Sequence, residues 1–160
     1  MRRCNLALLF LALPLLGCAS RPSSANEKAP TDAQLVQLVQ RLATMPGRIV
    51  PAGPAYLFEA DTLLTRPIAA ADVRAVPLLV DCLSDTTASE VGLPHTGDYV
   101  VTVAAVCFQV LLSTEFYQTR ASAQTWPAGF EPFVSYDAPP ERWVAAQAAW
   151  KAYLATQRER

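Results

Sequence analysis

The sequence predicts a small all-α domain. Three observations point to it. Leu35, Leu38, Val39 and Leu42 recur at helical spacing. A nearly continuous apolar stretch runs from Val103 to about Tyr117, the composition of a helix buried on all sides. A proline pair, Pro139-Pro140, opens a last segment in which Trp143, Gln147, Trp150 and Leu154 share one face.

The chain begins with Arg2 and Arg3, followed by an apolar run from Leu6 to Leu16. A membrane-spanning helix needs roughly 20 apolar residues. This shorter run behind a positive end has the form of an export signal. It stops at Leu15-Leu16-Gly17-Cys18 and turns at once into small polar residues. That ending resembles the lipobox of bacterial lipoproteins, although Leu16 stands where a smaller residue is more usual. The resemblance implies cleavage after Gly17, a diacylglyceryl group on the Cys18 sulfur and an acylated amine, palmitate being the common acyl chain. Ala19 follows Cys18, which in that family directs sorting to the outer membrane, facing the periplasm. A cleaved secretory signal with an incidental cysteine is the alternative. Each buried methylene contributes about 0.8 kcal/mol, so two or three chains make a stable anchor. Residues 1–17 are thus expected to be a signal peptide, 18–30 a lipidated tether and 31–160 the helical domain. The tether "ASRPSSANEKAP" has no periodicity and is rich in Ala, Ser and Pro.

Thr31-Asp32-Ala33-Gln34 matches a capping box and opens the first helix, which Met45-Pro46-Gly47 stops. "PGRIVPAGP" is expected to be a loop, and Ala55 to Leu64 a second, shorter helix. Ile68 to Asp85 is expected to be helical, with Val73, Val76, Val80 and Leu83 on one face and Pro77 kinking or restarting it. A loop follows from Ser84 to about Val101. "YVVTV" has the β-branched content of a short strand, and Thr102 is the preferred N-cap of the next helix. Gln118 to Ala138 is expected to be a loop packed down by Trp126, Phe130, Phe133 and Tyr136.

"ADVRAVPLLVDCLSD", followed by "VAAVCFQVLL", resembles a HEAT-type helical pair, with a proline-bearing first helix and an Ala/Val/Leu-rich second one. The likeness covers about Ala70 to Tyr117. HEAT helices are joined by short turns, whereas this connection is long, and there is no second copy at the period of such repeats. The middle segment and the Trp-Pro loop are also similar to those of small bacterial lipoproteins with no assigned activity. The HEAT likeness implies a stacked-helix binding surface and no chemistry.

Just over half of the 160 residues are apolar, enough for one well-formed core. Loss of Arg2 and Arg3 with the signal takes the formal charge from −1 to −3. That balance excludes a polybasic nucleic-acid or membrane patch. Of the four cysteines, Cys4 leaves with the signal and Cys18 is the lipid acceptor. Cys82 and Cys107 remain, an even number compatible with one disulfide in an oxidising compartment. Two buried thiols are the alternative.

Catalytic and cofactor patterns are missing. The single histidine, His95, has no partner in an H-E-x-x-H motif, and there is no C-x-x-C, G-x-S-x-G or glycine-rich phosphate loop. Cys82, His95 and Cys107 are too widely spaced for a structural zinc site, and no metal or cofactor is expected. A cysteine nucleophile paired with His95 is disfavoured by the apolar setting of both thiols. Asp81 and Asp85 stand at i, i+4, with Glu90 and Asp98 beyond them, a group that could serve as a general acid/base pair or hold Ca²⁺. A solvated acidic helix end accounts for it more simply. The aromatic set belongs first to the core. Trp126 and Phe130 are the candidate partner-binding residues, since tryptophan and other large rings concentrate at interface hot spots.

The function expected is therefore non-catalytic binding or scaffolding toward an envelope protein, held at the membrane through lipid on Cys18. An immunity or inhibitor lipoprotein that blocks a toxic enzyme is one alternative. An envelope hydrolase using a carboxylate pair is the other.

Overall fold

The computed structural model describes residues 29–52, 55–92 and 100–158. Helix α1 (Asp32–Gln40) begins at the expected capping box: the Thr31 hydroxyl accepts from the Gln34 N–H, and the Gln34 side-chain oxygen Oε1 accepts from the Thr31 N–H. Leu35 and Val39 are buried, and Leu42 is buried in the 3-10 turn Arg41–Thr44 that follows. Arg74 ties down the start of the helix by donating to the Pro30 carbonyl at 2.8 Å and to Asp32 at 2.6 Å.

The domain is not purely helical. Strands β1 (Gly47–Ala52) and β2 (Ala55–Ala60) form an antiparallel pair where a loop and a helix were expected. β3 (Val91–Gly92) lies parallel on the other side of β1, giving the order β2-β1-β3. Pro51 made the first segment look like a loop. Among the described residues β3 pairs with Gly47 and Arg48, and Pro51 stands opposite Tyr56 near the far end of β1; a residue without an N–H is tolerated toward the end of a strand. In the second segment, expected as a single helix, Tyr56, Leu57 and Phe58 belong to a strand, while Leu63 and Leu64 belong to the next helix. The true boundary is Asp61, whose side chain accepts from the Leu63 N–H at 2.9 Å and caps α2 (Thr62–Ala70). Gly47 has a steric reason to be glycine, because a Cβ there would lie 2.9 Å from the Glu59 carbonyl oxygen across the strand pair.

The segment from Ile68 to Asp85, expected to be helical with a kink or restart at Pro77, is three pieces: the end of α2, a 3-10 turn at Asp72–Arg74, and α3 (Val76–Cys82). Pro77 restarts the helix in its first turn, where no N–H is required. Val76, Val80 and Leu83 are buried as expected, but Val73 sits in the turn and is 60% exposed.

Thr102 caps α4 (Val103–Leu112), its hydroxyl accepting from the Ala105 N–H at 3.3 Å. The helix ends five residues short of Tyr117. Thr114, fully buried, donates its hydroxyl to the Leu111 carbonyl at 2.7 Å and accepts from the Tyr117 N–H, which starts a separate helix, α5 (Glu115–Ala123). The aromatic loop therefore begins at Gln124, in left-handed conformation, and not at Gln118. Helix α6 (Pro140–Arg158) closes the domain.

Helices α3 and α4 pack against each other, and Cys82 and Cys107 are joined across them with their Cα atoms 6.1 Å apart. The spacing lies inside the range that a disulfide can bridge. The closed loop spans 25 residues, worth roughly 3 kcal/mol in the chain-entropy account. The double variant Cys82→Ala/Cys107→Ala is accordingly expected to lose about 3 kcal/mol in denaturant unfolding. Peptide mapping after alkylation without reduction is expected to recover the Cys82 and Cys107 peptides linked; recovery of two alkylated peptides would contradict the assignment.

Candidate functional site

Helix α6 carries the base of the site. Trp143 and Trp150, two turns apart, are both fully buried. Trp143 meets Phe108 of α4 edge-on at 5.7 Å and donates its indole N–H to the Ala138 carbonyl at 3.1 Å. Between the two tryptophans, Gln147 donates to the Asp81 carbonyl at 2.6 Å and to the Ser84 hydroxyl at 2.9 Å, locking α6 onto the end of α3. This face of α6 thus meets α4 through Trp143 and α3 through Gln147.

Above Trp150 lies a layer of rings. Trp126 is half-buried, with its centroid 5.4 Å from Phe130, 5.5 Å from Trp150, 5.5 Å from Tyr117 and 5.6 Å from Tyr153. Phe130 is also half-buried, stacked on Tyr153 at 5.0 Å and edge-on to Trp150 at 5.1 Å. The two candidate partner-binding residues are therefore brought together, but not as free rings on a loop. They rest on buried aromatics, and removing Trp126 exposes what lies beneath. Phe133 is 60% exposed, although its ring reaches Phe108 at 6.0 Å, and Tyr136 is half-buried. The indole N–H of Trp150 is buried with no oxygen or nitrogen acceptor among the described residues.

Asp81 and Asp85 are both engaged. Asp81 pairs with Lys151 at 2.8 Å, and Asp85 accepts from the Thr87 N–H at 3.1 Å and from its hydroxyl at 2.6 Å. Both line a shallow cleft of about 360 Å³ with Val39, Leu78 and Val103, while Glu90 is exposed and does not join them. Asp98 and His95 lie outside the described residues, as do the signal segment, Cys18 and the tether up to residue 28. Cys82 and Cys107, being bonded to each other, present no thiolate to a metal or a substrate. Among the described residues, no group of three or more His, Cys, Asp or Glu side chains is placed to hold a metal ion. No helix among them is long and apolar enough to cross a membrane.

One residue escaped the sequence. Arg120 of α5 sits with its guanidinium carbon 3.8 Å from the centroid of the Phe116 ring and donates Nε to the Tyr153 hydroxyl at 2.8 Å. The Phe116–Arg120 spacing of one helical turn was the available signal. It carried weight only once a helix was known to start at Thr114.

The ring layer makes two measurements informative. Trp150→Ala is expected to cost about 3–5 kcal/mol, as large buried aromatics do. Trp126→Ala is expected to cost about 1–3 kcal/mol through lost ring contacts. Thermal melts that left Trp126→Ala at the wild-type midpoint would show that the loop ring adds nothing to the core. Tyr117, half-buried against Trp126 and Trp150, has its phenol pushed above 10.0 by desolvation. The unfolded chain then loses this proton first as pH rises. Stability owed to neutral Tyr117 is intact below about pH 10 and lost as pH climbs through the folded value. Tyr117→Phe is expected to flatten that alkaline loss in unfolding curves measured across this range.

Comparison with protein-family models, with curated proteins and with solved structures finds no match for this chain.

Proposed function

We propose that this chain is a lipid-anchored envelope protein that binds a protein partner without catalysing a reaction, using Trp126 and Phe130 at the centre of the contact. The location rests on the residues before the domain: a short apolar run ending in Leu15-Leu16-Gly17-Cys18, with Cys18 as lipid acceptor and the outer membrane as destination. The Cys82–Cys107 bond supports the same location independently, because disulfides persist in oxidising compartments such as the periplasm.

The observation that carries the binding role is the state of the two rings. Each is half-buried and braced by buried Trp150 and Tyr153, so a partner would meet an apolar surface already fixed in place. Binding to such a surface avoids much of the cost of ordering side chains. Asp81 and Asp85 favour binding over hydrolysis for a related reason. One is held by Lys151 and the other by Thr87, which leaves neither arranged as a proton donor opposite a proton acceptor.

Two experiments separate the parts of this proposal. Cys18→Ser is expected to abolish uptake of labelled fatty acid and to release the chain from the outer-membrane fraction; unchanged labelling would remove the anchor. A photo-crosslinking side chain at Phe130, in intact cells, is expected to give one discrete adduct. The same side chain at exposed Val73 serves as control. Equal adduct patterns at the two positions would remove the aromatic contact while leaving the anchor untouched.

A further inference from the structure

Among the residues whose side chains are described, Arg120 is the one cation withdrawn from solvent; Arg41, Arg48, Arg66, Arg74, Arg142 and Lys151 are all exposed. No carboxylate pairs with it among the described residues, whereas four of the exposed cations have acidic partners. A half-buried charge without a counter-ion is unfavourable unless something polar meets it.

The guanidinium is held on three sides. Its face covers Phe116, Nε donates to the Tyr153 hydroxyl at 2.8 Å, and Nη1 donates to the Phe116 carbonyl at 3.3 Å. Nη2 donates to nothing among the described residues. Tyr153 is only 6% exposed, and because its oxygen accepts from Arg120, its own O–H is left to donate. Arg120 and Tyr153 line one cleft of about 510 Å³, together with Thr119, Thr125, Thr156 and Gln157. That volume suits a small ligand or the end of a chain.

We propose that this cleft binds a carboxylate, gripped by Nη2 of Arg120 and by the Tyr153 hydroxyl. One carboxylate oxygen would accept from Nη2 and the other from the Tyr153 O–H, a planar two-point contact that suits a carboxylate. The charge of the site tells against a dianion. Helices α5 and α6 end beside the cleft, at Ala123 and Arg158, and bring the negative ends of their dipoles toward it. One guanidinium against two such ends suits a single negative charge better than the double charge of a phosphate. The carboxylate could terminate a peptide or belong to a small free acid; the chemistry that recognises it is the same. The inference does not depend on lipidation or on the Trp126–Phe130 contact.

The test uses the full chain in neutral detergent at constant ionic strength. Sodium acetate is titrated while the Arg120 Nε–H resonance and tryptophan fluorescence are followed. A saturable change is expected with acetate, none with acetamide, and a weaker one with phosphate. Arg120→Lys keeps the charge but loses the fork, and is expected to weaken acetate about tenfold or more. Tyr153→Phe keeps the ring in its stack and removes only the hydroxyl; it is expected to weaken acetate several-fold while its near-ultraviolet aromatic spectrum stays that of the folded chain. A tripeptide with a free C-terminus that binds more tightly than acetate, while its C-terminal amide does not bind, marks a chain end as the source. Equal affinity for tripeptide and acetate marks a small acid. A non-saturating response, an equal response to acetamide, tighter binding of phosphate, or wild-type affinity in Tyr153→Phe would each overturn the proposal.

Discussion

Helix α4 has almost no face to give to water. Val103, Ala104, Ala105, Val106, Cys107, Phe108, Val110 and Leu111 are all buried. A helix of this kind must be covered from every side, and the other elements are placed to cover it. Helix α3, α2 and the turn after α1 pack against it, and α6 supplies Trp143 against Phe108. The covering helices α1, α2, α3 and α5 are only seven to nine residues long. Helices that short are marginal in isolation, so each owes its existence to the surface it covers. The disulfide acts at the centre of this arrangement, fixing the end of α3 to the middle of α4.

The aromatic layer follows from the same constraint. Trp150 is buried beneath Trp126 and Phe130, and the loop that bears those two rings is tied down by Trp143 at Ala138 and by the Arg142–Glu131 pair at 3.1 Å. A binding surface built this way is stiff because it is also part of the core. Its rings cannot be altered without disturbing stability, and loss of binding in any variant has to be read beside its melting behaviour. The compensation is that little ordering remains to be done when a partner arrives.

A strained residue sets the neighbouring cleft. Asp72 takes a positive φ of 45°, uncommon for a residue with a side chain, and in that position its carboxylate accepts from the Phe116 N–H at 2.6 Å. It thereby caps α5 from a turn 44 residues earlier in the chain. The cap fixes the start of α5, and Phe116 in that first turn carries Arg120 on its ring. Arg120 in turn reaches Tyr153 on α6. Backbone strain at one point is thus linked through a helix cap to a guanidinium held in place between two helices.

What the sequence by itself determined was local. The capping box at Thr31, the N-cap at Thr102, the all-round apolar character of α4 and the shared face of Trp143 and Trp150 depend on side chains a few residues apart, and each was legible from spacing alone. The restart at Pro77 was legible for the same reason, since proline's missing N–H acts where it stands. Tertiary structure decided the rest. The strand at Ala55–Ala60 exists because β1 is there to pair with it, with Pro51 held opposite Tyr56. The break between α4 and α5 is stabilised by Asp72, far away in sequence, and the site at Arg120 needs a hydroxyl from α6. Partners of that kind leave no periodic trace in the chain, because nothing in local spacing records which distant group will satisfy a backbone N–H or meet a buried charge.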